Sequence, residues 1–341
     1  MHMRSELKCN AQQHGARRGG SSLLRRGRGL VVTRKTWYTL GLAVSLASLM
    51  PSTVSSQARG ASAVAPLSHS VFLEELTWLE VRDAIATGHS TVIVPIGGTE
   101  QNGPYLALGK HNFVVKGIAE TTARVLGNAL VAPIVAIGPG GSIDPATGHM
   151  RWPGSMAVRR EVFQELLVDI LSNLRHHGFR DIVVIAEHEG SSSQERPGPA
   201  FETVTELDKR WGPGETRAHF VPEYRDQLED DGHASTFLRD VLGVVEEVMD
   251  QEVPESGDRY LQDGRNPVGT HEGYYYSAVT MAVNPAAVRA AERIAAGPQA
   301  SYGVDWGSPE QLATNGRKLI DYRAKLIADA IRNAIVSSRE P

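Results

Sequence analysis

Few of the chain's 39 acidic residues and 12 histidines sit where they could share one chemical task. Glu100 closes a short turn, Gly97-Gly98-Thr99, and His111 follows eleven residues later. His188 comes directly after an apolar run and is flanked by Glu187 and Glu189. Asp230-Asp231-Gly232-His233 and Thr270-His271-Glu272-Gly273 are two further acidic and imidazole clusters. One carboxylate and two imidazoles suit a single Zn²⁺, Mn²⁺ or Fe²⁺ with positions left open for water and substrate. A second carboxylate beside them can orient an imidazole or take a proton. Asn102 offers an amide to a substrate carbonyl. His149 and Trp152 lie on a glycine-rich stretch, Gly138 to Gly154, long enough to cover such a site. No HExxH-type motif places these groups locally, so the fold must bring them together. Gly138-Pro139-Gly140-Gly141 lacks the G-K-[ST] ending of a phosphate loop. The single cysteine, Cys9, excludes an intramolecular disulfide framework and an all-cysteine zinc site.

The elements around these residues alternate. Thr91–Gly97 is a β-branched run ending in glycine, and Asp181–Ala186 is a second apolar run of strand length. Ala129–Ile137 is a third strand candidate. Between them, Asn112 is positioned to cap a helix over Phe113–Leu126, which Gly127 stops. Arg159–His177 is amphipathic, with Val162, Leu166, Ile170 and Leu174 at four-residue spacing. This rhythm predicts an α/β fold with a mainly parallel sheet sandwiched between helices. Ligands of such sheets bind beyond the carboxyl ends of the strands, which is where Glu100 and His188 fall. Farther on, Ala234–Val253 and Asn284–Ala296 are expected to be helical. Ser308-Pro309-Glu310-Gln311 reads as a cap, an N1 proline and a capping-box glutamine opening a helix to about Val336, with a kink at Gly316.

Charge divides the chain. The whole carries −4, but residues 1–57 alone carry +8, leaving −12 on the remainder. An acidic body offers no electrostatic footprint for nucleic acid. The basic front is followed by the apolar run Trp37–Met50, then Pro51 and small residues, the layout of a secretory signal peptide. About 14 apolar residues fall short of the ~20 that span a bilayer, so no stable membrane span is expected once the signal is removed. The expected division is residues 1–62 as basic segment and signal peptide, cleaved between Ser55 and Ala63, and 63–341 as one α/β domain. The product is an exported protein, periplasmic or secreted.

The stretch Pro95-Ile96-Gly97-Gly98-Thr99-Glu100-Gln101-Asn102-Gly103-Pro104-Tyr105-Leu106-Ala107-Leu108-Gly109-Lys110-His111 resembles the signature P-x-G-S-x-E-Q-H-G-P-H-L-P-L-G-x-D of the creatininase (creatinine amidohydrolase) family. His149 through Val158 is similar to that family's H-x-x-F-P-G-T segment. His177-Gly178-Phe179, then His188 and Gly190, resemble H-G-F followed by N-G-H-G-G-N. Gly232-His233-Ala234 resembles the start of H-A-G-E, and Ala313-Thr314 with Gly316 the last helix. The resemblance implies a creatininase-like fold, hydrolysis of an amide C–N bond, bound divalent metal and a homo-oligomer.

The departures alter the expected metal count. Family enzymes hold two ions, one on the signature Glu, the signature Asp and the glycine-loop His. The other takes the signature His, the same Asp as a bridge, and a later Glu. Glu100 and His188 match the first set, but the bridging Asp is His111 and the second His is Asn102. Gly190 and Thr236 stand at the two places from which a ligand Glu could come. A neutral imidazole ordinarily serves one metal. The resemblance so amended implies Glu100, His111 and His188 around one divalent ion per chain. Glu189 is expected as general base, since it falls inside the family's glycine loop, and His233 as proton shuttle. Glu272, lining the pocket, is expected as a further catalytic residue, and Asn102, His149 and Trp152 are expected to bind substrate. The expected activity is metal-dependent hydrolysis of a small, cyclic amide. The alternatives are a lactone hydrolase or isomerase on the same site, and an exported binding protein with a decayed one.

Overall fold

In a computed structural model the described residues are 70–187, 198–225, 235–243, 273–296 and 305–340. The four strands among them are β1 (Thr91–Ile96), β2 (Ala129–Val131), β3 (Asp181–Ala186) and β4 (Arg217–Phe220). They form one sheet in the order β2-β1-β3-β4, every pair parallel. Thr91 stands opposite Asp181 and Ile96 opposite Ala186, so the two central strands end side by side, as the sequence required. The outer strands are short. β2 stops where the expected strand to Ile137 meets Pro133, which has no N–H to give a ladder. On its far side β2 is met by Val131 N–H donating to Val71 O at 2.8 Å.

Side chains alternate across the sheet and build two cores. Ile93, Val183 and Ile185 face one layer. That layer holds α2 (Lys110–Leu126), α6 (Tyr274–Val283) and the long α8 (Pro309–Ser337). Val92, Val94, Ile96, Ile182 and Val184 face the other. There lie α1 (Trp78–Ala86), α3 (Arg160–His176) and α4 (Pro199–Trp211). Two short helices complete the set among the described residues, α5 (Ser235–Leu242) and α7 (Ala290–Ala295). None is long and apolar enough to cross a membrane.

Several local expectations are corrected. The buried stripe of α3 is Phe163, Leu167, Leu171 and Leu174: the first three lie one residue on from the expected Val162, Leu166 and Ile170, Leu174 is as expected, and Leu166 is exposed. Both registers are apolar, and the larger Phe163 takes the inside. Asn112 does not cap α2, which begins at Lys110. Its Oδ1 instead accepts from Gly98 N–H at 3.0 Å. A Cβ on Gly97 would come 2.0 Å from that same oxygen, so only glycine permits the contact. The expected helix over Asn284–Ala296 is a 3-10 turn at Pro285–Ala287 and then α7, because the backbone is extended at Val288 and non-helical at Arg289. At the start of α8, Ser308 Oγ accepts from Gln311 N–H, but the Gln311 side chain turns to Asn315, so the capping box is half made. Gly316 does not break α8. A Cβ there would lie 1.9 Å from Ala278 O, so the glycine admits the backbone of α6.

Candidate active site

The carboxyl ends of β1 and β3 carry the chemistry. After Ile96 the chain makes a tight loop to α2. Asn102, fully buried, holds it closed: its amide donates to the carbonyls of Glu100, Ala107 and Leu108 at 2.8, 3.0 and 3.3 Å. Its Oδ1 accepts no hydrogen bond. This loop aims the buried Glu100 side chain at the first turn of α2. There Glu100 Oε1 lies 2.9 Å from His111 Nε2.

The second carboxylate oxygen meets His149. Gly103 N–H donates to Gln101 Oε1 at 3.0 Å, which fixes which end of that amide is nitrogen. The Gln101 amide nitrogen then lies 3.4 Å from His149 Nδ1 and donates to it. A neutral His149 so placed carries its proton on Nε2, 3.4 Å from Glu100 Oε2. Burial, the largest influence, favours the neutral ring, and Lys110 and His111 push the same way. Glu100 opposes them, and the net shift is downward. His149 rides on a 3-10 turn, Gly148–Arg151, within the glycine-rich segment. Ser155 Oγ, accepting from Gln101 N–H, and Met156 N–H, donating to Thr99 O, tie that segment over the loop. Trp152 is partly buried beside it.

On the other side of His111 stands Glu187, the first residue past β3. It is fully buried. Its backbone N–H continues the ladder to Ile96 O at 2.8 Å. Oε1 lies 3.8 Å from His111 Nδ1, and Oε2 accepts from Tyr224 OH at 2.5 Å. Arg323, equally buried on α8, places its guanidinium 3.8 Å from Oε2 and donates to Tyr275 OH and to Tyr224 O. Burial pushes the Glu187 carboxyl up. His111, Arg323 and Arg225 together outweigh it and hold the carboxyl down at about 2. Burial raises the Tyr276 hydroxyl to about 12. That ring stacks edge-on to His111 and takes the buried Lys110 ammonium 4.0 Å over its face.

The structure therefore strings His149, Glu100, His111 and Glu187 into one line. Glu100, His111, Asn102, His149 and Trp152 are among the expected site residues. His188, Glu189, His233 and Glu272 lie outside the described residues. Glu187 was set below Glu189 in the reading of the sequence, yet its parity marks it. Residues 183, 185 and 187 share the face on which α2 packs. Among the described residues no three His, Cys, Asp or Glu side chains form a group that could hold a metal ion. Two surface grooves lie elsewhere, one of about 770 Å³ between α3 and α4 and one of about 580 Å³ between α2, α6 and α8.

The carboxylate and imidazole groups at adjoining ends of parallel strands make this an α/β protein whose candidate site lies at the carboxyl edge of the sheet. The family model described as creatininase, creatinine amidohydrolase, matches residues 74–325, and the chain belongs to that family. It is 29% identical over 122 residues to the creatinine amidohydrolase of Pseudomonas putida, covering 36% of this chain and 46% of that protein. It is 27% identical over 118 residues to the 3-dehydro-scyllo-inosose hydrolase of Thermotoga maritima, covering 35% and 36%. It is 34% identical over 83 residues to the mycofactocin precursor peptide peptidase of Mycolicibacterium smegmatis, covering 23% and 31%. The chain thus spans less than half the length of each of these relatives. Among solved structures, a mutant creatininase of Zn-Zn type matches over 78% of this chain and 98% of its own. The TM-score is 0.52 and the identity 20%. A manganese creatininase gives the same coverage, score and identity. These two show a shared fold.

Proposed function

We propose that this chain is an exported metal-dependent amidohydrolase, opening a C–N bond in a small cyclic amide. The observation that carries this reading is the Glu100–His111 pair, buried at the carboxyl end of β1 with Glu187, the first residue past β3, on the other side of the imidazole. Two donors at 2.0–2.1 Å from one ion stand about 2.9–3.4 Å apart. Glu100 Oε1 and His111 Nε2, at 2.9 Å, meet that test. The third donor in this reading is His188. Bound there, a Zn²⁺, Mn²⁺ or Fe²⁺ ion lowers the pKa of water from 15.7 toward ~7 and polarises the substrate carbonyl.

The chain's own groups do the rest. His149 donates its Nε2 proton toward Glu100 Oε2 and restrains that carboxylate. Asn102 keeps the loop closed around it. Glu189 takes the proton from water, and His233 carries it to the leaving nitrogen. Glu272 and Trp152 line the approach. The names of the three curated relatives share hydrolysis while their substrates differ. Hydrolysis is common to these relatives, and the small cyclic amide is the substrate proposed for this chain. Elemental analysis of protein lacking residues 1–57, with turnover of creatinine, hydantoins and small lactams, tests it. One metal per chain is expected, lost on His111→Ala, with turnover of at least one cyclic amide. A metal-free protein that binds a lactam without turnover would instead be the binding-protein alternative.

A further inference from the structure

We infer that Glu187 is a positioning residue for His111: with a cation held on Nε2, the Glu187 charge keeps the ring's remaining proton on Nδ1. The inference rests on the proposed site in one respect, that His111 is taken to hold the cation.

The imidazole lies between two carboxylates on opposite sides of the ring. Glu100 Oε1 faces Nε2 at 2.9 Å, within hydrogen-bond reach, and Glu187 Oε1 faces Nδ1 at 3.8 Å, too long for a hydrogen bond and therefore acting through its charge. A neutral ring has one proton for two nitrogens. The nitrogen without it presents a lone pair, which is favourable toward a cation and unfavourable toward a carboxylate. Glu187 Oε1 is fully buried and accepts no hydrogen bond, so it is an acceptor left over. Its other oxygen is already committed to Tyr224 OH at 2.5 Å. Arg323 neutralises the carboxylate from the far side and is itself anchored by Tyr275 and the Tyr224 carbonyl. Glu187 is thus a fixed anion with one oxygen to spare, aimed at one nitrogen of one histidine.

The position adds weight. In the family's N-G-H-G-G-N segment the residue before the His is glycine. This chain has Glu there, and His where the signature has Asp. The two departures meet in space. An aspartate at 111 beside a buried glutamate would set two anions together. A histidine at 111 gains from the glutamate an orienting partner of the kind metal-bound imidazoles use. The Arg323 charge beside Glu187 also makes that side of the ring a poor place for a second cation.

The test compares wild type with Glu187→Gln and Glu187→Asp in the full chain. Gln keeps the shape and removes the charge. Asp keeps the charge for Arg323 and withdraws the oxygen by one methylene, so it carries the test should Gln fold poorly. Zn²⁺ affinity is measured by chelator competition. The His111 ring nitrogens are followed by ¹H–¹⁵N NMR, assigned with His111→Ala. Weakening of zinc binding by about 10–100-fold in both variants, with loss of the Nδ1–H signature, is expected. A purely structural role lowers the melting temperature and moves neither readout. Affinities within twofold of wild type with an unchanged His111 spectrum overturn the inference. A wild type that binds no zinc overturns the proposed function and, because no cation then holds Nε2, the inference with it; zinc bound equally by wild type and both variants overturns the inference alone.

Discussion

Replacing Arg323 by Met should unfold the protein more readily than any surface change, and the size follows from what is left behind. Arg323 lies on the inward stripe of α8 with Leu319, Ile320, Ala324 and Ile327. Met fills most of the space of its stem and removes the cation. Glu187 then remains fully buried with Tyr224 OH as its side-chain hydrogen-bond donor. The Tyr224 carbonyl and the Tyr275 hydroxyl each lose a donor. Removing one partner of a buried ion pair costs about 3–5 kcal/mol. At about 2–4 °C per kcal/mol for a domain of this size, the melting temperature should fall by roughly 6–20 °C. Urea unfolding followed by circular dichroism measures the loss directly. The double variant Glu187→Gln/Arg323→Met should recover part of it, because no charge is then left buried alone. A loss below about 1 kcal/mol, or a double variant that loses the full sum of the singles, would refute the claim that these two charges form one buried unit.

The pH dependence of stability should report Asp208. Burial pushes its carboxyl up, but Arg217 and the Ala218 N–H outweigh it, so the folded-state value lies below the ordinary 3.8. Its contribution is full above that value and is lost as pH falls through the lower folded one. The stability gap to Asp208→Asn, read by thermal melts, should therefore close on acidification below about pH 4. Gly316→Ala should destabilise by about 1–3 kcal/mol in urea titrations, despite a helix-propensity gain of about 1 kcal/mol, because α6 must move off Ala278 O. Leu171→Ala should cost about 2–5 kcal/mol and Leu166→Ala under about 0.5 kcal/mol, and equal losses would contradict the observed register of α3.

How far the sequence carries is visible in these same places. The two central strands were legible because each is a short apolar run with both faces buried, and nothing local competes with that reading. The register of α3 was not, because apolar residues occupy two adjacent stripes and only packing chooses between them. α6 was missed. Tyr274-Tyr275-Tyr276-Ser277-Ala278-Val279-Thr280 is rich in strand-forming types and buried on nearly all sides, so it shows no helical period. At the site, Glu100 and His111 were candidates by type, and the resemblance to the creatininase signature singled them out. Glu187 could have been found by counting parity along β3. Arg323 could have been found as a charge on an otherwise apolar stripe. The Gln101–His149 contact joins residues 48 apart through a loop without periodicity, and only the fold displays it.

The short outer strands have a consequence for how copies of this chain can meet. An exposed strand edge invites another chain to add to it, and the invitation grows with the length of unpaired backbone. Here β2 offers three residues, with Val71 already bonded to its outer side, and β4 offers four. The six-residue strands are locked in the middle. Sheet-to-sheet accretion, the usual route from a parallel core to an insoluble polymer, has little to start from among the described residues. Among the described residues the surface open to a second copy is mostly helical, where side chains decide any fit and a single substitution can alter it.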